Sequence, residues 1–184
     1  MTHPIGLPPL RPLTRADLDS IPDDGHRYEL IDGSLIVTPA PSPEHQDAVL
    51  ELTVLLRASC PPEMKVFVSP LDVVLAEDSV VRPDVVVAHR ADVDGRVLNA
   101  PPLLAIEVIS PSTRSIDLLL KKSRYEFAGA ASYWVIDPEP YERSLICWDL
   151  VDGEYVEVAR AVGDETVDLT RPFPVSLSPA SVLS

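Results

Sequence analysis

Residues 101–129 read PPLLAIEVISPSTRSIDLLLKKSRYEFAG, and two structural periods meet inside them. Residues 103–109 form a β-prone apolar run broken only at Glu107, the pattern of a strand covered on both faces. After Ser110-Pro111-Ser112-Thr113, the segment SIDLLLKKSRYEFAG reads as a helix that stops at Gly129. Its stripe of Ile116, Leu120, Phe127 and Ala128 is apolar enough to pack on a sheet, while Asp117, Lys121 and Tyr125 share the other face at i, i+4 and i+8.

Upstream, VFVS at 66–69, LDVVLA at 71–76 and PDVVVAH at 83–89 are short β-branched runs between turn residues. RYELI-DG-SLIVTP at 27–39 predicts a hairpin around Asp32-Gly33, a pair suited to a two-residue primed turn. Ser42-Pro43 reads as an N-cap with proline at the first helical position, followed by Ala48, Val49, Leu52, Leu55 and Leu56 at helical spacing. Thr14 is a second N-cap, for RADLDSI. Downstream, SYWVID, SLICWDL and EYVEVA continue as strands, with Asp152-Gly153 marking another hairpin. The order predicts an α/β (α+β) domain over 13–184, a central mixed sheet flanked by helices, behind a loose arm at 1–12.

The chain has 184 residues, 46% of them hydrophobic, enough for one folded core. No apolar run approaches the ~20 residues of a membrane span, and the first residues lack a secretory pattern, so a soluble, cytoplasmic protein is expected. Cys60 and Cys147 are too few for a disulfide framework, and no Cys/His group has zinc spacing. Fifteen basic residues against 29 acidic ones give a net charge of −14, which repels phosphate backbones at long range. One local island, Arg114, Lys121, Lys122 and Arg124, runs against that balance.

Three residues carry candidate chemistry. Glu107 inside an apolar strand has to be paired, protonated or metal-bound, because an unpaired carboxylate there costs several kcal/mol. A structural ion pair is the plainer alternative. Asp84, in Arg82-Pro83-Asp84-Val85, opens a second apolar strand, where it otherwise serves as an acceptor for backbone N–H groups. Two carboxylates on neighbouring strands give the oxygen-rich site that Mg²⁺ or Mn²⁺ takes, and the Val108 carbonyl is a further oxygen ligand. Lys121 on the helix face is suited to orienting water or offsetting transition-state charge, against the simpler reading of a solvated Asp117–Lys121 pair. No nucleophile elbow, phosphate loop or zincin spacing competes with this set.

Asp84 in a Pro-Asp pair, Glu107 in a β-run and a nearby lysine resemble the PD-(D/E)XK nuclease superfamily. The chain is more narrowly similar to the Uma-type restriction-endonuclease family. The resemblance rests on YELIDGSLIV (28–37), SPEHQDAVLELTVLL (42–56), SPLDVVL (69–75), RPDVVV (82–87), residues 101–129 and YWVIDP (133–138). It covers about residues 27–160 and implies a restriction-endonuclease-like fold. It also implies a Mg²⁺- or Mn²⁺-dependent endonuclease acting on nucleic acid, DNA first. The superfamily's simplest form has lysine two residues after the strand acid, where this chain has Ile109. In the narrower family the lysine has moved to the following helix, which maps onto Lys121, with Lys122 adjacent. Gly-Ala-Ala-Ser-Tyr-Trp at 129–134 replaces the family's Gly-Val-Pro-Glu-Tyr-Trp.

The resemblance brings in Glu29, as a metal ligand or a partner of Lys121, and His45, as a phosphate contact or proton shuttle. Helix capping is the alternative for His45. Asp72 is expected as a supporting acid, and Asp117 and Tyr125 as neighbours of Lys121. His3, His26 and His89 are expected at the surface, and Tyr133 and Trp134 in the core. Pairing through SLICWDL or EYVEVA makes a homodimer possible. A different class of function also stays open: a non-catalytic interaction module on the same fold, which the −14 charge favours.

Overall fold

The structure, a computed structural model, describes residues 11–139 and 143–183. Helix α1 (Arg15–Asp19) precedes the hairpin β1 (Arg27–Ile31) and β2 (Ser34–Thr38), then helix α2 (Pro43–Ser59). Strands β3 (Met64–Val68), β4 (Asp72–Ala76), β5 (Ser79–Val81), β6 (Val85–His89), β7 (Val93–Asp94), β8 (Val97–Leu98) and β9 (Leu104–Val108) follow. A π-helical stretch, Ile116–Lys121, runs into α3 (Lys122–Ala128). The chain closes with β10 (Ser132–Asp137), β11 (Ser144–Val151), β12 (Glu154–Val162), β13 (Val167–Leu169), β14 (Val175–Leu177) and α4 (Pro179–Val182).

Local chemistry sets the boundaries as expected. Asp32 and Gly33 both lie at positive φ, 51° and 71°, closing the first hairpin, and Asp152 and Gly153 do the same at 52° and 89°. Ser42 Oγ accepts the His45 backbone N–H at 3.2 Å and starts α2. Gly129, at φ 86°, ends α3 in the left-handed conformation. Gly33 has a second reason to be glycine: a Cβ there would sit 2.4 Å from Pro12 Cβ. Pro12 therefore packs on the hairpin, while residues 1–10 of the expected arm lie outside the described residues.

The expected mixed sheet forms with helices on it, and the hairpins beside it build another six-stranded sheet, while β13 and β14 make a separate two-stranded one. The hairpin sheet, first in chain order, runs β2-β1-β5-β4-β8-β7, and the mixed sheet, the second, runs β12-β11-β10-β9-β6-β3, where β9 and β10 are parallel and their neighbours antiparallel. The small strands β5, β7 and β8, which the sequence pattern misses, join the hairpins into the first sheet. Ile31, Val73, Val81 and Leu98 of the first sheet pack against Val86, Ala88, Ala105 and Val135 of the second. On the far side of the second sheet, Ala48, Leu52 and Leu56 of α2 cover Val85, Val87, Ile106 and Ile136. EYVEVA lies in β12 at the sheet edge, whereas SLICWDL lies in β11, paired on both sides and unable to offer a free edge.

The helix after β9 departs from expectation at Phe127 and in how deeply its charged face is buried. Phe127 is 85% exposed, and it is Asp117, Lys121 and Tyr125 that face inward. Ile116, Leu118 and Leu120 are partly buried beside the core. Among the described residues no helix is long and apolar enough to cross a membrane.

Candidate active site

Strand register brings the two candidate acids together. Val85 pairs with Ile106 in the antiparallel β6–β9 ladder, so Asp84 and Glu107, one step further, stand opposite each other on one face. The Asp84 N–H donates to the Ile106 carbonyl at 3.1 Å, and the Val108 N–H donates to Asp84 Oδ2 at 2.9 Å. The contact observed between Val108 and the site is thus made by its amide N–H.

Lys121 reaches this face from the π-helical stretch. Its Nζ lies 2.9 Å from Glu29 Oε1, 3.1 Å from Glu107 Oε1 and 3.4 Å from Asp117 Oδ1. Lys121 is 3% exposed and Glu29 fully enclosed, so this is a buried charge cluster and not a solvated pair. Glu29 is delivered by β1 and also accepts the Arg82 backbone N–H at 2.6 Å. Tyr125 donates its hydroxyl toward Glu107 Oε1 at 3.5 Å, and Tyr133 donates to the Asp117 carbonyl at 2.9 Å. Lys122 points elsewhere: its ammonium sits over Trp148 and Tyr155, 5.2 and 5.5 Å from the ring centroids.

Asp84 is held from the other side by His45 Nε2, 3.1 Å from Oδ2, and by Arg27, whose guanidinium donates to Oδ1 at 3.1 Å. His45 thus caps nothing with its ring, and its backbone N–H is the group that Ser42 caps. Arg27 is a site residue that the motif reading passes over, although alternation on β1 puts it on the same face as Glu29. Asp72 lies apart, bound to the Arg82 guanidinium. Of the histidines expected at the surface, His26 and His89 are exposed, and His3 lies outside the described residues.

The electrostatics follow from burial and charge count. Burial pushes the Glu107 carboxyl well up; Lys121 opposes this, and Asp117, Asp84 and Glu29 add to it. Burial likewise raises Asp117. Burial also works against ionised Asp84, but the His45 bond, Arg27 and the Val108 N–H outweigh it and hold its pKa below the ordinary value. For Lys121 burial is offset by Glu107, Glu29 and Asp117, so the ammonium stays protonated far into the alkaline range. Four carboxylates, Glu29, Asp84, Glu107 and Asp117, thus share two permanent cations, Lys121 and Arg27.

Asp84, Glu107, Asp117 and Lys121 line a cleft of about 660 Å³ whose rim carries Ser110, Ser112, Thr113 and Arg114. The basic island of the sequence does not survive folding as a patch. Lys121 is buried among acids, Arg114 pairs with Asp137, and Arg124 lies 2.7 Å from Asp32. Among the described residues no three His, Cys, Asp or Glu side chains are grouped to hold a metal ion.

Two sheets with acids and a lysine converging at the middle of the second define an α+β protein of restriction-endonuclease-like fold. The chain belongs to the Uma2 family, described as putative restriction endonuclease, whose profile matches residues 15–183. A solved structure with the same fold is a nuclease, itself described as putative and as belonging to DUF820, from Anabaena variabilis ATCC 29413. It is 19% identical, with a TM-score of 0.75 over 94% of this chain and 98% of that one. A comparison of the sequence with curated proteins finds no match.

Proposed function

We propose that this protein is a divalent-metal-dependent endonuclease that hydrolyses phosphodiester bonds of nucleic acid, DNA first, in the cytoplasm. The observation that carries the reading is the meeting of Asp84, Glu107 and Lys121 on one face, on the wall of an open cleft. The donor set fits Mg²⁺ or Mn²⁺: the ligands are hard carboxylate oxygens, and the excess of acids over permanent cations is the imbalance a divalent ion would offset. Asp84 and Glu107 would hold the ion, with the Val108 carbonyl as a further oxygen. Asp84 Oδ2 already meets His45 and the Val108 N–H, whereas Oδ1 accepts from Arg27 alone and keeps a lone pair for an ion.

Such an ion, when bound, polarises the phosphoryl oxygen and makes hydroxide accessible near neutral pH. The protein's own part is positional and electrostatic. Lys121 keeps its proton beside Glu29, Glu107 and Asp117, which take up its N–H donors, so it serves as a fixed cation near the attacked phosphate and not as the base. Glu29 and Asp117 fix the ammonium, and Tyr125 orients Glu107. A homodimer through the free edge of β12, where Val156, Val158 and Val162 are exposed, belongs to the same reading.

Calorimetric titration with Mn²⁺ into the millimolar range tests it. Binding by wild type that vanishes in Glu107→Ala, with cleavage lost in Asp84→Ala, is the expected result. A wild type that takes up no Mn²⁺ overturns the catalytic reading. The interaction module is then the better account, and the acids at the cleft favour it: Glu44, Asp137 and Glu139 join the four already named.

A further inference from the structure

Asp84, Arg27, His45 and Pro41 form a partition with a cavity on each side. The second cavity, about 930 Å³, lies between the loop before β1, helix α2 and the turn after β3. Its charge differs from that of the cleft. Arg27, Arg82 and Arg96 there face Asp23, Asp72 and Asp84, an even balance in a chain of net charge −14. Arg82 is bound to Asp72 and Arg27 to Asp84, and Arg96 is exposed without an ion pair among the described residues. The walls are apolar along Leu18, Ile21, Val49 and Val68. Two rings, His26 and Tyr28, line the mouth with centroids 6.1 Å apart. Asp24 fixes both: its carboxylate lies 3.0 Å from His26 Nδ1 and accepts the Tyr28 hydroxyl at 2.7 Å.

We propose that this second cavity is a nucleotide subsite, taking one unpaired nucleotide of a strand whose neighbouring phosphate lies at Asp84. This rests on the endonuclease reading and narrows its substrate to nucleic acid with an unpaired or extruded base. The chemistry matches a base on each count. Ordered aromatic rings and apolar walls accept its faces, and the Arg–Asp pairs offer donors and acceptors to its edge. Arg96 supplies a cation for the adjoining phosphate. The volume lies in the range of small-ligand sites, far too small for a paired helix. A fully paired backbone would instead have to lie along the acidic cleft, where Arg114 is already taken by Asp137.

The test is cleavage in Mn²⁺ of three oligonucleotides of one sequence: a fully paired duplex, the same duplex with a single-nucleotide bulge, and the single strand. The expected kcat/KM is roughly tenfold higher for the bulged and single-stranded forms, the value of one stacking contact. Two variants then probe the cavity. His26→Ala removes an exposed ring, and Thr53→Trp fills the cavity from α2, where the threonine hydroxyl only returns to the Val49 carbonyl. Both are expected to bring the three rates together, with thermal midpoints reporting that they fold. Equal rates for wild type on all three, or a preference that survives both variants, overturn the subsite while leaving the nuclease reading intact. Cleavage of none of the three removes the nuclease reading itself, and this inference with it.

Discussion

Two helices cover the second sheet from opposite sides, and they are seated by different means. Helix α2 lies down on Ala48, Leu52 and Leu56, an apolar stripe against apolar strands. The segment 116–128 turns Asp117, Lys121 and Tyr125 to the sheet and leaves Leu119 and Phe127 in solvent. Burial of apolar area holds the first helix wherever the stripe meets the sheet, since the hydrophobic effect has no direction. Ion pairs also hold the second, and these set one position and one partner at a time. The lesson is that both sides of this sheet are stabilised by apolar burial, but only on the side facing the first sheet do ion pairs also fix where the helical segment sits.

The comparison can be broken most directly at Lys121. Replacement by Met leaves Glu29, Glu107 and Asp117 enclosed without their shared cation, and about 3–5 kcal/mol of stability should be lost in urea unfolding. Leu52→Ala should cost about 2–5 kcal/mol through the cavity left under α2. The two losses should separate with pH: the Leu52 effect stays constant from pH 5 to 8, and the Lys121 effect shrinks at pH 5, where the stranded carboxyls can take protons. Equal pH profiles for both variants would refute the distinction.

Glu107→Gln sharpens the same point. Folding raises the Glu107 pKa above its ordinary value of 4.5, so the folded state holds a proton that the unfolded chain releases. That makes stability fall as pH rises above about 4.5, and the glutamine variant should show a flatter decline in thermal midpoint. Asp84 has the opposite sign. Its folded pKa is depressed, so its contribution is kept at neutral pH and lost only as pH falls below the ordinary 3.8. The smallest effect should come from Lys122→Ala, which removes a half-buried cation over Trp148 and Tyr155, about 0.5–1 kcal/mol by the same unfolding measurement.

What could be read beforehand follows from where the information lies. The hairpins at Asp32-Gly33 and Asp152-Gly153, the capped α2 and the apolar strands carry their signals locally, and all of them form. The two six-stranded sheets depend on pairings such as β1 with β5 and β4 with β8, which are long-range and leave no mark in periodicity. At the site, Asp84 and Glu107 were legible because charged groups in apolar runs need partners, Lys121 through its helix face and the family resemblance, and Glu29 through the resemblance alone. Arg27 was legible only through alternation on β1, which a motif search does not consult. The deep burial of the charged face of 116–128 was hidden because a helix face is ordinarily chosen by its apolar residues, and here three carboxylates share that choice.

Leu119 shows what the wide turn at Ile116–Lys121 implies for change in this chain. It is 70% exposed and adds nothing to either packing cluster, so a substitution scan would score the position as permissive. Yet a π-helical stretch is in effect an α-helix holding one residue too many. Removing Leu119 would let the turn tighten to ordinary pitch and shorten the Asp117–Lys121 spacing from four residues to three, changing the separation at which the two meet Glu107. Position 119 is thus indifferent to which residue fills it and strict that one does.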